Sequence, residues 1–305
     1  MKEWIEAMRL RTLPVSVSGV LGGTACAIYH HGFALLPFLI SLFFAILAQI
    51  ASNFANEYYD YKNGLDKKGR EGFRRGVTEG DISPAAMKRA TYITLCLAAC
   101  IGATLIIWGG WWLIFVGIAI AIFALAYSTG PFPLSHNGLG EITVLVFFGF
   151  IPVIFTEYVQ TRLLSFDVTT MFMAAAIGLM AANVLIVNNY RDFEDDKEVG
   201  KRTSVVILGR KTMGAVYFYD GILAAVFLAM ASSPLPFWVS AGWLSYFSAH
   251  TILWQRLRSL SGSGLNDVLK WTSILMFITS IYLIVIFATL KPDNNSFFPI
   301  SLNNG

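Results

Sequence analysis

Residues 56–66 read NEYYDYKNGLD, and residues 188–196 read NNYRDFEDD. Each stretch follows a long apolar run, and the two are 132 positions apart when counted from Asp60 to Asp192. In both, an asparagine precedes the first aspartate by four positions, Asn56 in one stretch and Asn188 in the other. Carboxylates at the end of a membrane helix are costly unless they bind a ligand or stay in water. The matched stretches therefore predict one site that two helix ends share.

The composition is typical of a membrane protein with many spans. Hydrophobic residues make up 56% of the 305 residues and charged residues 13%, and the mean hydropathy is +0.61. Apolar runs of about 17–25 residues can cross a bilayer as helices. We expect an all-α membrane protein with nine transmembrane helices, near residues 13–31, 34–58, 90–108, 111–128, 139–157, 169–190, 212–232, 235–254 and 270–290.

The distribution of basic residues gives an orientation. The segments before helix 1 and between helices 2 and 3, 6 and 7, and 8 and 9 hold 20 of the 22 Lys and Arg residues. Basic segments stay on the cytoplasmic side of a membrane. We therefore expect a multi-pass protein of the cell membrane with a cytoplasmic N-terminus, and both acidic stretches on the cytoplasmic side.

The two acidic stretches also indicate an internal repeat. Helices 1–4, at about 10–128, and helices 5–8, at about 139–254, each carry acidic residues at the end of their second helix. Repeats with the motif on the same side are parallel, so both motifs can face one central cavity. Helix 9, at about 270–290, closes the bundle. We expect one domain over residues 1–290 and a polar C-terminal tail over 291–305.

The spacing within each stretch selects the side chains that face the shared site. Asn188, Asp192 and Asp196 lie at i, i+4 and i+8, which is one stripe of a helix, whereas Asp195 and Glu194 lie off it. In the first stretch Asn56 and Asp60 share a stripe, and Asp66 reaches the site from a turn after Gly64. Mg²⁺ is usually bound by one or two carboxylates together with phosphate oxygens. The predicted ligands of Mg²⁺ are Asp60, Asp66, Asp192, Asp196 and the amide of Asn56.

Paired Asn-x3-Asp motifs after helices 2 and 6 of nine resemble the UbiA family of intramembrane prenyltransferases. The chain departs from the usual family pattern at Glu57 and in its longer Asp60-to-Asp66 gap. That gap resembles the branch of the family that prenylates 1,4-dihydroxy-2-naphthoate. Three further motifs resemble the same branch: Arg11-Thr12-Leu13-Pro14, Tyr127-Ser128-Thr129-Gly130-Pro131 and Gly138-Leu139-Gly140-Glu141.

The resemblance implies the reaction and its participants. A polyprenyl diphosphate and an aromatic acceptor would react in the lipid bilayer, and no nucleic acid is expected as a partner. The acceptor ring attacks the prenyl cation, and diphosphate and CO₂ are lost to give a demethylmenaquinol. Mg²⁺ would neutralise the charge that develops on the leaving group. The four aspartates Asp60, Asp66, Asp192 and Asp196 would then be catalytic, and Asn56 and Asn188 would orient ligands.

Basic side chains should complete a binding site for diphosphate. We prefer Arg11, which opens helix 1, and Arg75, which lies in the loop expected to cap the site. The other candidates, each also explained as a cytoplasmic loop charge, are Lys62, Arg74, Lys197 and Arg202.

Aromatic side chains near the acidic stretches can stabilise an allylic cation. Tyr127 and Tyr190 are candidates for this role, as are Tyr58 and Tyr59, although each is also explained as an interfacial tyrosine. For Glu141 the resemblance implies a role near the acceptor, while a carboxylate also suits the start of a helix. Asp220, two turns inside helix 7, is a weaker candidate.

Other functions remain open from the sequence. A divalent-cation transporter would also place carboxylates between helix bundles, but nearer mid-membrane. A CDP-alcohol phosphotransferase uses aspartates and Mg²⁺ in one contiguous Asp-Gly-rich stretch, which this chain lacks. Within the family, 4-hydroxybenzoate is the alternative acceptor.

Overall fold

The computed structural model of the chain describes residues 1–70 and 72–290. Within them helices account for almost all regular structure, and the β structure is limited to one isolated bridge between Asn137 and Arg202. The main helices are α1 (Leu13–Tyr29), α2 (Leu35–Lys62), α3 (Pro84–Ala103), α4 (Leu113–Ala126), α5 (Gly140–Thr161), α6 (Val168–Arg191), α7 (Ser204–Ala231), α8 (Phe237–Ser259) and α9 (Leu265–Thr289). The predicted tail at 291–305 lies outside the described residues.

Each of the nine predicted spans coincides with one of these helices. In the described part of the chain, seven helices are long and apolar enough to cross a membrane. Helix α4 has only 14 residues, none of them buried, and α8 carries enough polar residues to fall short in hydropathy. The all-helical fold is confirmed, whereas the count of nine crossings and the internal repeat stay predictions.

Helix α7 begins at Ser204, eight positions before its predicted start at 212. The backbone N–H of Val206 donates to the Thr203 hydroxyl, which caps the first turn. Gly209 then interrupts the helical backbone with a φ of 80°. The apolar run in this first part of α7, residues 205–208, is short and is followed by Gly209, Arg210 and Lys211, so the predicted span began after the basic residues.

Small residues allow close packing around α6, the most buried helix. Helix α6 packs against α1, α5, α7 and α9. A Cβ added at Gly149 in α5 would lie 2.5 Å from the Gly178 Cα and 2.6 Å from the Ala174 carbonyl oxygen, both in α6. Two backbones can approach this closely in a membrane only where side chains are absent. These contacts fix α5 against α6.

Ion pairs join the helix ends that lie opposite the acidic stretches. The His30 imidazole contacts Glu157 through Nδ1 at 2.5 Å and Asp167 through Nε2 at 3.0 Å. Burial lowers the pKa of His30, but the hydrogen bonds that its ring N–H groups donate to Asp167 and Glu157 outweigh burial and raise this pKa to about 9. A protonated His30 thus connects the ends of α1, α5 and α6.

The close contact of α5 with α6 generates a prediction. The Gly149→Ala substitution should lower the thermal unfolding midpoint, because overpacking of this kind costs about 1–3 kcal/mol. The control is Gly117→Ala in α4, where an added Cβ meets no atom within 4 Å. Its midpoint should stay unchanged or rise slightly. Equal losses in both variants, measured by thermal denaturation in detergent, would contradict the packing described.

Candidate functional site

The two acidic stretches meet at one end of the bundle. The side chains of Asp60, Asp66, Asp192 and Asp196 are all buried. Between them lies the guanidinium of Arg70, which contacts Asp66 through Nη1. Its Nη2 is 2.8 Å from Asp192 and 3.7 Å from Asp196. The structure therefore brings together the four aspartates that the spacing selected.

Local chain geometry explains how Asp66 reaches this cluster. Helix α2 ends at Lys62, and Gly64 follows with a φ of 67°, in the left-handed region that glycine favours. The Leu65 N–H donates to the Asp60 carbonyl oxygen at 2.8 Å and closes the turn. Asp66 thus points back towards Asp60 from outside the helix, as predicted.

The second stretch is less regular than one straight helix. Helix α6 ends at Arg191, and a short helix, Phe193–Glu198, follows after Asp192. The Asp196 N–H still donates to the Asp192 carbonyl oxygen at 2.8 Å, which keeps both carboxylates on one side.

Every aspartate of the cluster has a cationic neighbour. Lys201 Nζ lies 2.8 Å from Asp60, and His136 Nε2 lies 2.9 Å from the other oxygen of the same carboxylate. Arg191 Nε donates to Asp192 at 2.7 Å. Buried charges persist only when they are paired in this way.

The carboxylates differ in their affinity for protons. Burial, together with the charge of Asp60, raises the pKa of Asp66 to about 7. Burial also raises the pKa of Asp196 to about 6. Burial acts in the same direction on Asp192, but Arg191 and Arg70 hold the pKa of that carboxyl below its ordinary value.

Asn56 connects the aspartates with two arginines. Its Nδ2 lies 3.2 Å from both Asp60 Oδ2 and Ser128 Oγ, and its Oδ1 accepts from Arg9 at 2.7 Å and Arg75 at 3.1 Å. Because that oxygen is occupied by two guanidiniums, the geometry favours an orienting role for Asn56 over the predicted metal ligation.

Several polar atoms of the cluster are buried without a hydrogen bond. Arg9 Nε and Arg70 Nε have no acceptor. Arg75 Nε and Asp66 Oδ2 make no hydrogen bond either, but they lie 3.4 Å apart as an ion pair. Buried groups left unpaired cost free energy. The two unsatisfied guanidinium N–H groups suit an added anion.

A cavity of about 670 Å³ opens from this cluster into the bundle. Asp192 and Asp196 line its polar end, with Asn188, Asn189 and Tyr127 beside them. The remaining wall is mostly apolar and comes largely from α2, α3, α4 and α5, reaching Phe155, Thr156 and Val159 near the opposite end of α5. The cavity thus joins a charged end to a long apolar space.

Four predicted basic residues are not in the cluster. The side chains of Arg11, Lys62, Lys197 and Arg202 are exposed. Their places are taken by neighbours in the sequence, Arg9 and Lys201. The Lys201 N–H donates to the Asp196 carbonyl oxygen at 2.8 Å, so the turn directs Lys201 inward and Arg202 outward. Of the two predicted loop arginines, Arg75 is in the cluster, whereas Arg74 pairs with Asp81 at 2.6 Å on the surface.

Some of the aromatic and acidic candidates line or adjoin the cavity, and others lie away from it. Tyr127 lines the cavity, but Tyr190 packs in the core with Arg210 over its ring. Glu141 lies beside the cavity and accepts a hydrogen bond at 3.0 Å from Asn189, which does line it. Three weaker candidates are outside the cavity lining: Tyr58, Tyr59 and Asp220.

Sequence reasoning missed Arg9, Arg70, His136, Arg191 and Lys201. Arg70 follows Asp66 by four positions, and Arg191 is adjacent to Asp192. Those spacings were available signals, whereas His136 comes from a distant loop and offered none.

The loop after α2 covers the cluster and contacts the second half of the chain. A Cβ added at Gly72 would lie 2.6 Å from Arg191 Nη2. The Phe73 ring lies between two guanidiniums, with Arg191 at 5.1 Å and Arg9 at 5.8 Å from its centroid. Lys67 contacts Asp195 at 2.9 Å. These contacts hold the loop closed over the four aspartates.

Comparison with known proteins identifies the family to which this chain belongs. The model of the UbiA prenyltransferase family matches residues 16–281. The chain belongs to the UbiA prenyltransferase family. A relative from Escherichia coli K12, a 1,4-dihydroxy-2-naphthoate octaprenyltransferase, is 41% identical over 212 residues, or 68% of each chain. The protein of that name from Mycobacterium leprae is 30% identical and covers 92% of this chain and 94% of its own.

Solved structures of UbiA homologues share the fold. One from Archaeoglobus fulgidus, bound to DMAPP and Mg²⁺, superposes with a TM-score of 0.64 at 14% identity, over 93% of this chain and 99% of that one. An apo homologue from Aeropyrum pernix K1 gives a TM-score of 0.66 at 13% identity, over 90% and 97%. The helical arrangement is therefore that of the UbiA family.

The contacts of Phe73 predict how firmly the loop is held. The Phe73→Ala substitution removes two cation–π contacts, each contributing about 0.5–2 kcal/mol. Trypsin should then cleave after Lys67 and Lys68 roughly tenfold faster, measured by limited proteolysis of the purified protein. Phe132→Ala, at an exposed position in another loop, is the control and should leave the rate unchanged. An unchanged rate in the Phe73 variant would mean that the ring does not hold the loop.

Proposed function

We propose that this chain transfers a polyprenyl group from polyprenyl diphosphate to 1,4-dihydroxy-2-naphthoate. Diphosphate and CO₂ are released, and the product is a demethylmenaquinol. The observation that carries the proposal is the convergence of four buried aspartates and two unsatisfied guanidinium N–H groups at the mouth of an apolar cavity. A diphosphate with a long hydrocarbon tail matches both ends of that space.

The donor set of the cluster fits Mg²⁺. Asp60, Asp66, Asp192 and Asp196 supply the hard oxygen ligands that this ion prefers. These residues would hold Mg²⁺, which would supply positive charge against the departing diphosphate. The A. fulgidus homologue was solved with DMAPP and Mg²⁺, which supports this choice of ion.

The arginines bind and orient the diphosphate. Arg9 and Arg70 each direct a buried Nε–H that lacks an acceptor, and Arg75 lies beside them against Asp66. Guanidinium groups match phosphate oxygens in geometry. Asn56 keeps Arg9 and Arg75 in place through its amide oxygen. The covering loop excludes water, which would otherwise capture the prenyl group.

The reaction needs no residue to accept a proton from the ring, because the attacked carbon loses CO₂ instead of a proton. The bond between prenyl carbon and diphosphate oxygen breaks, and its electron pair leaves with diphosphate. A carbon–carbon bond forms at the ring carbon that bears the carboxylate. The bond to that carboxylate then breaks, CO₂ departs, and the electron pair returns to the ring. Tyr127, which lines the cavity beside the cluster, presents an aromatic face to the positive charge.

The acceptor is chosen from the relatives and from the ring chemistry. The E. coli and M. leprae relatives carry the name of a 1,4-dihydroxy-2-naphthoate octaprenyltransferase. A dihydroxynaphthalene ring is electron-rich enough to capture an allylic cation. 4-Hydroxybenzoate is the alternative acceptor. A divalent-cation transporter is not favoured, because the carboxylates gather at one end of the bundle and the cavity beyond them is mostly apolar.

The location follows from the charge pattern. The segments that hold 20 of the 22 basic residues adjoin the end of the bundle with the four aspartates. We place this end at the cytoplasmic face of the cell membrane, together with the N-terminus.

The aspartates give a direct test. Asp60→Asn, Asp192→Asn and Asp196→Asn should each reduce prenyl transfer roughly 100-fold, because each loses a ligand oxygen beside the leaving group. Asp195→Asn is the matched control, since Asp195 pairs with Lys67 outside the four-aspartate cluster. Turnover within twofold of the parent in all three variants would remove the shared metal site from the proposal.

The acceptor needs a separate test, because aspartate variants affect only the diphosphate. Both aromatic acids, each labelled in its carboxylate, are supplied at equal concentration with one polyprenyl diphosphate. Labelled CO₂ should appear from the naphthoate, and the prenylated product should carry no label. Turnover with hydroxybenzoate alone, or a product that keeps its carboxylate, would reject the acceptor and leave family membership intact.

A further inference from the structure

Arg70 occupies the centre of the acidic cluster. It is the one side chain in the described part of the chain whose ion pairs reach three of the four aspartates: Asp66 in the first stretch and Asp192 and Asp196 in the second. Its side chain is only 5% exposed. Although burial lowers the pKa of Arg70, Asp192 and Asp66 raise it above its ordinary value, so the guanidinium is charged.

This position conflicts with a bound metal ion. The guanidinium contacts one oxygen of each of Asp66, Asp192 and Asp196, so a cation held by the same three carboxylates would lie beside it, and the two like charges would repel each other. The guanidinium must therefore move when the metal binds, and a buried charge that loses its partners costs several kcal/mol. A new anion within its reach removes that cost.

We propose that Arg70 is the internal counter-ion of the four-aspartate cluster, and that it exchanges its aspartate partners for diphosphate oxygens when a metal ion binds there. This inference rests on the proposed function, because it takes metal and diphosphate as the ligands. Its consequence is thermodynamic: each ligand binds better in the presence of the other, by the same factor. The metal releases Arg70 from the aspartates, and diphosphate accepts the released guanidinium.

The other cations of the cluster are less suited to this exchange. Arg191 is held by Asp192, Asn188 and Asn266 at the end of α6, and Lys201 contacts Asp60 alone among the aspartates. Arg70 lies in the loop, between the two stretches, and its Nε has no acceptor. It has one donor already free for an anion while the others neutralise carboxylates.

Equilibrium dialysis of the full-length protein in detergent measures the exchange without turnover. Mn²⁺ is the metal probe, and inorganic pyrophosphate is either absent or present at equal concentration on both sides. The variants are Arg70→Gln, Arg70→Lys and the control Arg74→Gln, which changes an arginine of the same loop that pairs with Asp81 on the surface.

The parent and Arg74→Gln should bind Mn²⁺ at least about tenfold more tightly when pyrophosphate is present, within the usual range of coupling between sites. Arg70→Gln should bind Mn²⁺ alone several-fold more tightly than the parent, because its competitor is gone, and pyrophosphate should change that affinity less than about threefold. Arg70→Lys should lie between them, and it carries the test if the glutamine variant does not fold.

A gain in metal affinity separates this role from a merely structural one, which would produce only losses. Arg70 variants that bind Mn²⁺ no more tightly than the parent, or that keep its full coupling, overturn the inference and leave the proposed function standing. A parent protein that binds Mn²⁺ neither alone nor with pyrophosphate overturns the proposed function and the inference together.

Discussion

The burial of four aspartates against each other is the constraint on which the rest of the site depends. Carboxylates withdrawn from water in this way repel one another and cannot remain ionised without cations close by. The chain supplies those cations from four separate places: the segment before α1, the loop after α2, the end of α6 and the segment before α7. Because these places are far apart in sequence, the charge cluster holds both halves of the bundle together at one end.

Packing in the rest of the bundle positions the charged residues of the cluster. The contact between Gly149 and Gly178 fixes α5 against α6, and the ion pairs of His30 connect the opposite helix ends. The buried positions of α6 hold mostly small and branched residues that pack closely against its neighbours. The end of α6 therefore holds Asp192 in a fixed position. The covering loop, by contrast, is held by a few polar and cation–π contacts.

Helical spacing predicted those parts of the site that lie on helices. Asp60, Asp192 and Asp196 follow from intervals of four residues and from matched positions in the two halves, and Asp66 from a glycine turn. Spacing says little about loops, whose side-chain directions depend on tertiary contacts. The sequence favours Arg11 and Arg202 as candidates, whereas the structure brings Arg9 and Lys201 to the cluster. A shift of one or two residues in a turn reverses the direction of a side chain.

The short helix α4 has a consequence for the units of substrate concentration in which the rate of prenyl transfer is expressed. None of its 14 residues is buried, although it forms part of the cavity wall, so a single layer of side chains separates the cavity from the outside of the bundle there. A helix of this length rises about 21 Å, less than the hydrocarbon core of about 30 Å. If the polyprenyl substrate of the proposed reaction enters from the bilayer, its effective concentration is its mole fraction among the surrounding lipids. Adding inert lipid dilutes the substrate even when the volume of the solution is unchanged.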